Sequence, residues 1–277
     1  MPDANHPHDY QRSINQYQLS VRLFGPIQLS PELNRRTDRV IKSHSQDRDH
    51  FTEITISENR MQGGIVVDYY VKARSRRSAE QVGYVYLSQL CDLLSAVTDC
   101  PVQFFQTEEQ ARGEGGRQHR QPMRNARTVH LEEWSWITGS LVALRRDHPR
   151  YLAAASWFRK GLTGDDCLDQ FCCFFRVIER LAASYANKSQ WKKEEGGVRR
   201  AIAQLTDDLF GTNGIPELLA NESRIKEATT LRNNISHGNE PITIEMIETA
   251  SALLYPIQDA AFCVLDCLRK RKLQFDS

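Results

Sequence analysis

No unbroken apolar stretch in this chain of 277 residues approaches the ~18 residues that a bilayer span requires, so no membrane partner is expected. Charge of one sign is equally scarce. Lys and Arg number 36 against 35 Asp and Glu, a net charge of +1. Bulk basicity therefore cannot hold a nucleic acid, and any such partner needs a local patch. No C-x2-C pair occurs, which argues against a structural zinc site. The seven cysteines are odd in number and lie mostly on apolar helical stretches, as suits reduced thiols in a cytoplasmic protein. The opening stretch MPDANHPHDYQRS lacks the hydrophobic centre of a secretory signal. Internal repeats are missing too, as are acidic clusters of the kind that hold two catalytic metal ions. Neither a metal nor a cofactor is expected.

What is present has two textures. YQLSVRLFGPIQL alternates apolar and polar residues and predicts a strand ending at Gly25-Pro26. HFTEITIS and GGIVVDYYVKAR predict two further strands, and CPVQFFQ a last one. Between them, SAEQVGYVYLSQLCDLLSAVTD has helical spacing, with Val82, Val85, Tyr86, Leu90, Leu93 and Leu94 on one apolar face. Residues 1–106 thus predict a small α/β domain, one helix on a mostly antiparallel sheet. Residues 107–130 are rich in Gly, Pro, Gln and Arg and poor in apolar side chains, and predict a flexible linker or loop. From 131 to 277 the pattern is helical throughout, and the fold class is α+β with an all-helical bundle of five or six helices. DDCLDQFCCFFRVIERLAASYA is apolar around its whole girth and belongs at the centre. In the last helix, Ile244, Ile247, Ser251, Leu254, Ile257, Ala261, Leu265 and Leu268 predict the buried stripe, and Pro256 a kink or a lost backbone bond.

The chemistry concentrates in TTLRNNISHGNE. Ile225, Ala228, Leu231 and Ile235 point one face of this helix at the core, and Gly238 ends it. Arg232 offers a permanently charged fork of donors to phosphate oxygens, and His237 can take and give protons near neutrality. Asn233 adds a neutral donor and acceptor. Five residues along a straight helix turn through about 140°, so Arg232 and His237 meet on one phosphate only if the helix end bends or frays. Capping and dipole roles at a helix end remain open for the same two side chains.

LRNNISHG, preceded by the apolar helix, resembles the HEPN domains, particularly their Apea-like branch. These helical bundles carry an R-x4–6-H motif after a buried helix bearing an acidic residue. The resemblance runs from about Pro149 to Leu268. It assigns Arg232, Asn233 and His237 to the motif and Glu179 to the acidic position. It implies a metal-independent endoribonuclease acting as a homodimer that joins two motifs across a cleft. It further implies an effector of bacterial antiviral defence or of a toxin–antitoxin module, with RNA as substrate and an antitoxin or defence protein as a possible partner. Because some HEPN proteins bind without cutting, a non-catalytic regulatory module for RNA, a nucleotide or a protein is the alternative.

Other residues carry two readings each. Asp169, Arg176 and Arg180 share a stripe of the apolar helix, either supporting the site or forming an ion-pair row. Lys188, Trp191, Lys192 and Lys193 combine stacking and charge as an RNA platform would, or form an exposed loop. Trp134 and Trp136 read as core or interdomain contacts.

Overall fold

Burial that alternates residue by residue along IVVDYYVKA marks a strand with one face in the core and the other half exposed. In the computed structural model, which describes residues 14–39, 50–58, 64–105, 126–189, 197–237 and 241–275, that segment is β5 (Ile65–Ala73). It is the middle strand of five. The others are β1 (Asn15–Phe24), β3 (Arg36–Arg39), β4 (His50–Glu58) and β6 (Gln103–Phe105), in the order β3-β4-β5-β1-β6 with every pairing antiparallel. The strands anticipated from hydrophobic pattern are all present. β3 was not anticipated, because RTDR contains no apolar residue; it holds the sheet edge by pairing and through Asp38.

A second correction concerns residues 107–130. Most of that segment lies outside the described residues, but its end is ordered: β7 (Arg127–Val129) pairs in parallel with β2 (Ile27–Leu29). Val129, fully buried, fastens it to the core.

The first helix, α1 (Arg76–Thr98), starts where the Ser75 hydroxyl accepts the Ser78 N–H at 3.2 Å. Its early turns lie so close to the sheet that a Cβ on Gly83 would sit 2.5 Å from the Tyr69 ring. Its later turns, from Leu90 to Thr98, are buried on every side, between the sheet and the bundle. That explains both the apolar girth and the one misassigned residue, Val85, which faces solvent. On the bundle side Arg159 reaches Asp92 at 2.6 Å. Burial raises the Asp92 carboxyl above its usual value, against the pull of Arg159. Trp134 donates its indole N–H to Asp38 at 2.6 Å, another tie between sheet and helices, while Trp136 donates to the Leu273 carbonyl at 3.0 Å.

The bundle comprises α2 (Leu131–Asp147), α3 (Pro149–Thr163), α4 (Cys167–Tyr185), α5 (Val198–Phe210), α6 (Glu222–His237) and α7 (Ile244–Lys272). Helix α4 is central, as its composition requires, and packs on α3, α5, α6 and α7. It begins at Asp166, whose carboxylate accepts the N–H groups of Leu168 and Asp169. Helix α3 meets it at Gly161, where a Cβ would lie 2.6 Å from the buried Phe174 ring. Gly161→Ala is therefore expected to lose about 1–3 kcal/mol by overpacking. A melting temperature lowered by about 2–4 °C per kcal/mol checks it.

Helix α7 departs from expectation. Its buried face is Met246, Ala250, Leu253, Ile257, Ala260, Ala261, Val264, Leu265 and Leu268, whereas Ile244 and Ile247 are exposed. Small alanines allow close approach to neighbouring helices, so they displace bulkier residues from the interface. The helix continues through Pro256 to Lys272. By length and composition α7 would also satisfy a membrane span. Here it is a packed bundle helix, resting chiefly on α4.

Candidate functional site

Helix α6 begins at Glu222, where Asn221 caps it: its side-chain oxygen accepts from Ser223 N at 3.0 Å and Arg224 N at 3.2 Å. Ile225, Ala228 and Leu231 are buried and Ile235 is partly so, which presents the following turn of α6 to α4. Two stripes meet there, Cys172, Phe175 and Glu179 from α4 and Arg232 and Ser236 from α6.

Arg232 is about one-fifth exposed and tightly held. One of its terminal nitrogens pairs with the Glu179 carboxylate, and the other donates to Asn233 Oδ1 at 2.9 Å. The guanidinium lies 5.7 Å from the centre of the Phe175 ring, a cation–π contact worth about 0.5–1 kcal/mol. Its Nε–H is shut off from solvent and has no hydrogen-bond partner. Glu179 and Asn233 thus fix the fork while leaving donor capacity. Cys172, beneath it, is raised by burial above the usual thiol range, opposed by the Ser236 hydroxyl and by Arg176 and Arg232. It stays a protonated wall rather than a nucleophile.

His237 lies exposed in the last turn. The helix is regular up to that residue, so the bend that would bring Arg232 and His237 together does not occur within α6. Arg232 points at α4, and His237 is rotated about 140° away. No hydrogen bond joins the two side chains among the described residues.

Clefts open on both sides of α6. A cleft of about 780 Å³ towards α5 is lined by Arg199, Ile225, Thr229 and Asn233, among others. On the side of α7 a second, of about 500 Å³, is lined by Thr230, Asn234 and Met246 among others. Adjacent asparagines of the motif therefore serve opposite clefts. Exposed Ile242, Ile244 and Ile247 flank the second one along the chain.

The supporting residues separate. Glu179 is joined to Arg232 as expected. Asp169 is exposed, Arg180 is exposed, and Arg176 stacks 4.5 Å over the Trp157 ring. No ion-pair row links them among the described residues, although Asp169 and Arg176 both act electrostatically on Cys172, Asp169 raising and Arg176 lowering its thiol. Lys188 is exposed and donates to the Ala183 carbonyl at 2.6 Å; Trp191, Lys192 and Lys193 lie outside the described residues. Phe175 was not singled out from sequence, although its position four residues before Glu179 puts both on one helix face. Among the described residues no group of three or more His, Cys, Asp or Glu is placed to hold a metal ion.

Compared with protein-family models, with curated proteins and with solved structures, the chain matches none.

Proposed function

We propose that the chain is an endoribonuclease of HEPN type that cleaves RNA through its own 2′-hydroxyl without a metal, as an effector in bacterial defence or in a toxin–antitoxin module. The reading rests most on the Arg232 cluster. An arginine fixed by Glu179 and Asn233, with a histidine on the same helix, supplies a charge clamp and a proton carrier for phosphodiester cleavage. His237 accepts the proton of the 2′-hydroxyl as that oxygen attacks phosphorus. Arg232 stabilises the pentacovalent phosphorane. The 5′-oxygen leaves and takes up a proton, and a 2′,3′-cyclic phosphate remains. A cytoplasmic location and an antitoxin or defence-protein partner accompany this proposal. Cleavage of single-stranded RNA but not of the DNA of the same sequence tests it.

The divergence of Arg232 and His237 on a straight helix supports a clamp and a base drawn from two copies. The active form is accordingly a symmetric homodimer whose axis passes near residues 232–237. Ile242, Ile244 and Ile247 supply apolar surface beside the motif for a second copy to cover. A solution mass of twice 31.8 kDa is expected. Ile244→Asp with Ile247→Asp is expected to give a folded monomer that no longer cleaves. The same divergence supports a second reading, a non-catalytic binding module. A wild-type protein that stays monomeric at any concentration favours that reading.

A further inference from the structure

We propose that the cleft between α5 and α6 holds the RNA backbone, with a phosphate next to the scissile one seated at Arg199. This rests on the ribonuclease reading but assigns a site that reading does not contain. The α6 wall is the column Ile225, Thr229 and Asn233, spaced four residues apart. The next residue in that column is His237, one turn on. A strand lying along the cleft therefore runs directly to the proton carrier. Asn233 links the two sides of the helix, since its Oδ1 accepts from Arg232 while its side chain lines the cleft.

The opposite wall is rich in donors. Arg199 is exposed and forms no ion pair or hydrogen bond among the described residues. It stands in the first turn of α5, where backbone N–H groups lack helical partners, and Gly197 supplies no side-chain cap. The Thr229 hydroxyl donates to the Ile225 carbonyl at 2.7 Å, so it offers a ligand only acceptor capacity and the phosphate-binding donors come from the α5 wall. Glu222 is the one carboxylate on the lining and opposes a phosphate close to it, so the phosphate is assigned to Arg199. At about 780 Å³ the cleft falls within the range of pockets that take ligands of nucleotide size, ~300–1,000 Å³.

The test uses full-length protein carrying His237→Ala, which leaves RNA uncut, and a short fluorescent single-stranded RNA. Adding Arg199→Ala is expected to weaken binding about three- to tenfold at low salt and to lower the slope of log affinity against log salt by about 0.7. Arg199→Lys should restore most of the slope. Arg145→Ala, an exposed arginine of α2 outside the cleft, controls for loss of net charge. Equal effects of Arg199→Ala and Arg145→Ala overturn the proposal, and so does failure of the His237→Ala protein to bind RNA at all. Cleavage is read separately on the wild-type chain. RNA bound through Arg199 but never cut sinks the nuclease and leaves the cleft standing. Normal cleavage together with binding insensitive to Arg199 does the reverse.

Discussion

His237→Ala is expected to lower RNA cleavage by about 10²–10⁴-fold, the usual worth of a positioned proton carrier, with no change in melting temperature. The side chain is exposed in the last turn of α6, so its removal opens no cavity and strands no partner among the described residues. Arg232→Ala is expected to cost about 10²–10³-fold through lost stabilisation of the phosphorane. It differs in one respect. Its removal leaves Glu179 without its cation at a site only about one-fifth exposed and strips Phe175 of its contact. A stability loss of about 1–3 kcal/mol is expected, between the values for exposed and fully buried pairs. Arg232→Lys should keep more of the stability than of the rate, since an ammonium cannot reach Glu179, Asn233 and a phosphate in the same plane. Thermal melts beside initial rates separate the two effects. Wild-type rates in either alanine variant place the chemistry elsewhere.

The second large effect lies in the substrate. If the nucleophile is the ribose 2′-hydroxyl, a single 2′-deoxy substitution at the cut position abolishes cleavage there, while neighbouring positions are still cut. The effect should be all-or-none at that bond, because the substitution removes the attacking oxygen itself. Binding should change little, since one hydroxyl contributes only a modest net hydrogen bond, about 1 kcal/mol. A deoxy position cut at a normal rate points to water as nucleophile and removes the role given to His237.

These expectations draw on what the sequence made legible and on what it hid. Strands with period-two burial, such as β4 and β5, follow from local pattern, as does the helical character of the chain from residue 131 onward. The Glu179–Arg232 pairing was legible only through family resemblance, since 53 residues separate the two side chains. Other features were not legible, the pairing of β7 with β2 among them. Strand β3 has no apolar residue, so only its partner strand defines it. The buried face of α7 includes Ala250 and Ala260, which the hydropathy pattern passed over, while Ile244 and Ile247 are exposed. The α5–α6 cleft depends on how two helices remote in sequence approach each other, which periodicity within either helix cannot contain. The regular end of α6 adds an argument for the proposed dimer, since Arg232 and His237 leave a straight helix in different directions.

The central claim is cleavage by the 2′-hydroxyl under Arg232 and His237. Its most direct test is incubation of wild-type and His237→Ala protein with single-stranded RNA in excess EDTA, followed by analysis of the new ends. The wild type is expected to cut at its metal-replete rate, leaving 2′,3′-cyclic phosphate (or the derived 3′-phosphate) and 5′-hydroxyl termini, with the variant silent. Loss of cleavage in EDTA, or fragments carrying 5′-phosphates, contradicts it.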